Sequence, residues 1–249
     1  MKTRWWMWML AVGWALPARA DSMLEQLWAG YERIESVRGE IRRDNTGPGG
    51  TVRTLSRVYY QRPDRLNVEN VMPVQRRIVA DGERFYSYIQ GDPKGFSRPI
   101  AELNEDMLIN LRKVPGTGME HLARLRGAAE EVLDAADGFP VRRGYEAGRI
   151  YAVLSFDEQG RWTRLELFPA EDRAHPSASY DYSDFQEVLS GVWIPLRQKG
   201  VFHVQGVEST EEVRVEALQV NVTLDPALFE ASDYFSGITF VDSFDKIAP

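Results

Sequence analysis

The sequence contains no cysteine. That absence excludes a disulfide framework, thiolate chemistry and anchoring through a lipid-modified cysteine. Histidine is scarce: His121, His175 and His203 lie far apart and in no metal-ligand spacing. Each reads as an ordinary polar residue rather than a ligand or base. There is no G-x-S-x-G elbow, no H-E-x-x-H pair and no Walker loop. The acidic pairs Glu130-Glu131 and Glu211-Glu212 are chain neighbours whose side chains diverge, so they read as solvated face. The expectation is a protein that is not an enzyme and carries no cofactor or metal. Basic charge is also lacking, with a formal net charge of −7. That balance argues against nucleic acid as a partner, which needs a basic footprint, and against simple adsorption to anionic lipid head groups.

What is present begins with "MKTRWWMWMLAVGWALPARA". Lys2 and Arg4 form a positive head, an apolar run follows from Trp5 to Leu16, and Ala18-Arg19-Ala20 is a small-x-small site. This is the pattern of a secretory signal cleaved after Ala20, and the run is shorter than the ~20 apolar residues a bilayer span needs. Cleavage removes three basic residues and no acidic one, taking the net charge from −7 to −10. No second long apolar run follows, so residues 21–249 are expected to form a single exported domain that is neither membrane-spanning nor lipidated.

Along that domain the hydrophobic period changes three times. Leu24, Leu27, Trp28, Tyr31, Ile34 and Val37 recur at helical steps, and Ser22 with Glu25 fits a capping box, which predicts a helix over 22–37. After the turn Gly47-Pro48-Gly49-Gly50, period-two patterns at 52–60, 65–69, 75–80 and 84–89 predict a meander of short strands. Asp81-Gly82 marks its tightest hairpin. Leucines at helical spacing then predict helices at 100–112 and 119–136, separated by "VPGTG". Strands resume at 149–168, 179–206 and 211–224. In the last of these, Val213, Val215 and Ala217 share one phase while Leu218, Val220, Val222 and Leu224 share the other, which predicts a bulge or a switch of buried face. The layout suits an α+β arrangement, one large curved sheet with helices on one face.

The stretch "YYQRPDRLNVENVMPVQRRIVADGERFYSY" (59–88) carries a more specific signal. An aromatic strand, an R-P pair, an alternating strand, a Pro turn and a V-x-D-G hairpin ending in aromatics occur in that order. This resembles the LolA/LolB family of lipoprotein-localisation carriers. "LDPALFEAS" (224–232) resembles that family's closing segment, while 119–148 holds extra material and "YDYSDFQEVLSGVWIP" is similar to the broader sorting-protein relatives. The resemblance implies an incomplete antiparallel β-barrel, a half-barrel, wrapped round an apolar cavity with helices as a lid. It implies a periplasmic carrier that shuttles a lipoprotein or another acylated ligand toward the outer membrane, taking it from and passing it to membrane donor and acceptor proteins. Tyr59, Leu66, Val68, Ile78, Phe85 and Tyr88 become candidate cavity residues, of which strand alternation lets only about half face inward. The Arg of the R-P pair falls on Arg62, with an implied role in opening and closing the lid. A reading from a different class stays open: an envelope-stress sensor that uses the same half-barrel to bind protein.

Overall fold

The structure, a computed structural model, describes residues 22–204 and 206–243. The leader and its expected cleavage after Ala20 lie outside the described residues. Helix α1 (Met23–Tyr31) is capped by Ser22, whose Oγ accepts from the Glu25 N–H at 3.2 Å. The helix stops at Tyr31 rather than running to Val37, because Ser36–Gly47 becomes strand β1. That strand gains ladders on both sides, one to Gly50–Gln61 and one to Val207–Val220, and two ladders outweigh one more helical turn. Ile34 and Val37 are fully buried all the same, so the apolar positions are as expected but sit on a different backbone.

The first meander comprises β1, β2 (Gly50–Gln61), β3 (Arg65–Met72), β4 (Arg76–Asp81), β5 (Arg84–Ile89) and β6 (Gly95–Pro99). A covering segment follows, with α2 (Glu105–Arg112) and short 3-10 turns at Ile100–Glu102, Met119–His121 and Ala123–Leu125. The second meander runs through β7 (Glu130–Leu133), β8 (Val141–Ala147), β9 (Ile150–Phe156), β10 (Trp162–Pro169), β11 (Ala178–Leu189), β12 (Val192–Val204) and β13 (Val207–Val220). Strand β14 (Phe240–Val241) returns parallel to β6. The spatial order β14-β6-β5-β4-β3-β2-β1-β13-β12-β11-β10-β9-β8-β7 is a single sheet. It is the expected large curved half-barrel, antiparallel apart from β14 and unclosed, in which β1 and β13 weld the two meanders together. Of the bulge and the face switch open for the last long strand, the structure has a bulge at Ala217, with φ 52° where the pairing of β1 with β13 shifts register.

The helix expected over 119–136 is absent. Leu122 and Leu125 are buried as its spacing implies, but on 3-10 turns, and Glu130–Leu133 pairs with β8 at the sheet edge instead. The reason lies in how closely 114–118 approaches the sheet. Gly116 and Gly118 take φ of 75° and 78°, and a Cβ on Gly118 would stand 2.7 Å from the Trp162 ring and 2.8 Å from that of Tyr182. The Gly116 carbonyl accepts from buried Gln198 Nε2 at 3.0 Å. A regular helix could not lie this deep.

The core sits on the concave face, where α1 and the covering segment meet the strands. Leu24, Tyr31, Leu111 and Leu122 pack in one cluster with Tyr60, Leu154, Trp162 and Ile194. The C-terminal segment crosses the opposite, convex face, where Asn67 Nδ2 donates to the Leu228 carbonyl at 2.7 Å.

Candidate ligand-binding site

Strand register decides which side chains can reach the concavity. Tyr60, Leu66, Ala80 and Phe85 align across β2–β5 in one row, and Val58, Val68 and Ile78 in the next. These rows belong to the concave core, so Leu66, Val68, Ile78 and Phe85 lie on the inner face. Tyr59 and Tyr88 do not. Tyr59 aligns with Asn67 and Val79, and Tyr88 with Arg77, on the convex side. There Tyr88 meets Phe235 of the C-terminal segment at 6.4 Å between ring centres. Their place among the cavity candidates is therefore corrected: alternation puts them on the opposite surface from Leu66 and Phe85.

The R-P stretch forms a clasp on both covering helices. Arg62 Nε donates to the Ile34 carbonyl at 2.7 Å and Nη2 to the Tyr31 carbonyl at 3.1 Å. The Tyr31 carbonyl closes α1, where carbonyls run short of intrahelical partners and carry partial negative charge that suits a guanidinium, while Ile34 lies in the link to β1. Two residues before Arg62, the Tyr60 hydroxyl donates to the Arg112 carbonyl at the end of α2, at 2.9 Å. Two residues after it, Asp64 takes both Arg112 Nε and Nη2, at 2.7 and 3.2 Å. Positions 60, 62 and 64 thus hold the C-terminal ends of α1 and α2. The other end of α1 is fixed by Glu130, whose Oε2 accepts from the Met23 N–H and from the Tyr145 hydroxyl, both at 2.7 Å.

Between the two helices lies a cleft of about 380 Å³. Trp28, Tyr31, Leu108, Ile109, Val114 and Met119 give it apolar walls, with Arg62, Arg112, Lys113 and Arg126 around them. Burial pushes the Lys113 ammonium below its ordinary pKa and the Tyr60 phenol above it. Both shifts mark a poorly hydrated interior. Trp28 Nε1 is buried without a hydrogen-bond partner among the described residues. None of the wall residues stood among the sequence candidates. Their helical spacing signals only that one face is buried, and a face packed on a core has the same spacing as one bordering a cleft.

No protein-family model matches the sequence, and no curated protein resembles it at a significant level. Solved structures do. An outer-membrane lipoprotein-sorting protein domain from Vibrio parahaemolyticus superposes with a TM-score of 0.57 at 10% identity, over 84% of this chain and 94% of that one. A LolA-superfamily protein from Nitrosomonas europaea gives 0.53 at 11% identity, over 84% and 98%. The chain shares the fold of these proteins, a LolA-like half-barrel. A DUF1329-family protein from Desulfovibrio piger shares it as well, at a TM-score of 0.53 and 13% identity over 85% and 95%. At these identities the LolA-like likeness establishes backbone architecture, and the side-chain chemistry must be argued from this chain.

Proposed function

We propose that the protein is an exported, periplasmic carrier of an acylated ligand, with α1 and α2 as the movable cover. The observation that carries this reading is the clasp at residues 60–64, which holds both helix ends over an apolar cleft through a few polar contacts. Tyr60 comes from β2 and Arg62 and Asp64 from the turn between β2 and β3, so releasing them frees the helices without dismantling a strand. Burying an acyl chain yields about 0.8 kcal/mol per methylene, so a chain of fourteen gains roughly 11 kcal/mol as an upper bound. Closure of the helices over the same space competes with that gain and provides the route to handover. The candidate lining in the first meander, Leu66, Val68, Ile78 and Phe85, is the surface the acyl chain would reach as the cover lifts. A lipidated protein or a free lipid satisfies this chemistry, and membrane proteins would supply and accept it.

Native mass spectrometry of the protein isolated from the periplasm tests the reading directly. A co-purifying lipid or lipidated protein, lost on delipidation and regained on exposure to lipid, is the expected result. A protein free of lipid but held in a stoichiometric protein complex would replace the carrier with a regulatory binding module.

A further inference from the structure

Beyond Val58 the concave face of the first meander turns polar. Cross-strand pairing sets Arg43 beside Thr54, Asn45 beside Glu211 and Ser56 beside Asn70. With the covering segment these strands border an open-sided chamber of about 610 Å³, larger than the apolar cleft. Lys113 lines both spaces, so they meet at one side chain. A carrier for acyl chains alone has no use for such a chamber.

Two cationic and two carboxyl side chains face it: Arg43, Lys113, Glu120 and Glu211. Arg43 Nε is buried and forms an ion pair with Glu211 Oε1 at 3.0 Å that is not aligned as a hydrogen bond. Lys113 Nζ gives two of its three N–H groups to Asn110 Oδ1 and the Glu120 carbonyl, each at 3.0 Å. Glu120 is partly exposed as a residue, yet its Oε2 is shut off from water and has no donor. Burial holds that carboxyl above its ordinary pKa. His121, stacked on Tyr180 at 4.0 Å, is pushed down to about 4 by burial and so adds no charge near neutrality. Buried polar atoms are rarely left without hydrogen bonds, and here an acceptor with no donor and an ion pair short of hydrogen-bond alignment sit in the walls of one space.

We infer that this chamber is a head-group site for a zwitterionic lipid bearing a phosphate and a primary ammonium, with its acyl chains in the adjoining cleft. Arg43 and Lys113 take the phosphate oxygens, and the ammonium pairs with the carboxyl groups of Glu120 and Glu211 that line the chamber. An anionic lipid without the ammonium would set its charge beside two carboxyls. An uncharged acylated group would leave Arg43 and Glu120 as they are. The inference rests on the carrier reading and narrows its ligand.

The test is equilibrium binding of the exported protein to phosphatidylethanolamine and phosphatidylglycerol with identical fluorescent acyl chains. About tenfold tighter binding of phosphatidylethanolamine is expected, the usual yield of one added charge-assisted contact. Glu120→Gln should shrink the preference several-fold while leaving phosphatidylglycerol binding no weaker. Arg43→Gln should weaken both lipids, because both carry the phosphate. Equal binding of the two lipids by the unaltered protein, or a preference untouched by Glu120→Gln, overturns the head-group site and leaves the carrier intact. Binding of neither lipid overturns the carrier reading, and the head-group site falls with it.

Discussion

The two meanders use the same inner face in opposite ways. In β8–β12 it is filled: Tyr145, Leu154, Phe156, Trp162, Leu165 and Ile194 are all at most 1% exposed. In β1–β3 part of that face carries Arg43, Thr54, Ser56 and Asn70, and a chamber stands over them. One half of the sheet is a packed scaffold and the other borders open space. A closed barrel would need bulk all round its interior. An unclosed sheet can concentrate bulk on one side and leave the other for a ligand, since stability comes from area removed from water and not from symmetry.

The contrast is broken or sharpened most strongly by truncation. Leu154→Ala should cost about 2–5 kcal/mol in urea unfolding, whereas Ser56→Ala should stay within about 0.5 kcal/mol. Comparable losses at both sites would mean that the first meander is packed as tightly as the second.

Next in size are the glycines. Gly118→Ala combines a left-handed backbone, costing roughly 1–2 kcal/mol, with a Cβ driven into Trp162 and Tyr182, costing roughly 1–3 more. Gly138 has the same φ of 78° but open space around it, so Gly138→Ala should show the first cost alone. Differential scanning calorimetry of the two variants separates strain from crowding.

Arg62→Leu removes two charge-assisted bonds from the end of α1 and should weaken closure by roughly 1.5–3 kcal/mol. The protein should still fold and take up a fluorescent lipid, but release it about tenfold to a hundredfold more slowly, because the cover competes less well for the cavity. Equal release rates would reduce Arg62 to a turn residue.

A smaller effect is expected from pH. His121 has a folded pKa of about 4, depressed below its unfolded value by burial and by the neighbouring Arg43 and Lys113, with Glu211 opposing. The unfolded chain therefore binds more protons between roughly pH 6.5 and 4. Stability should be full above that window and fall by on the order of 2 kcal/mol as pH drops through it. His121→Phe keeps a ring on Tyr180 and should flatten this part of the profile in denaturant titrations. Glu120 has the opposite sign, since a raised carboxyl pKa favours the fold at low pH, so it offsets part of the loss. Smallest of all, Tyr88→Ala on the convex face should leave lipid uptake unchanged.

Much of the architecture is legible in the residues. The alternation of Val52, Thr54, Ser56, Val58 and Tyr60 already assigns these to one face, and the phase change after Ala217 already locates an irregularity that register then shows to be a bulge. Strand β1 is not legible: "SVRGEIRRDNTG" is largely polar, and it becomes a strand because two neighbours offer it ladders. The clasp is half legible, since Arg62 stands out through its proline, but its partners are backbone carbonyls that leave no mark in a sequence. Local pattern determined by itself the period of each segment, the capped first helix and the bulk of β9, because those depend on neighbours in the chain. Tertiary structure alone decided that Tyr59 and Tyr88 face outward, that 119–125 winds as 3-10 turns, and that Arg43, Lys113, Glu120 and Glu211 share a chamber. Those outcomes depend on register, on close approach through Gly116 and Gly118, and on charges brought together from far along the chain.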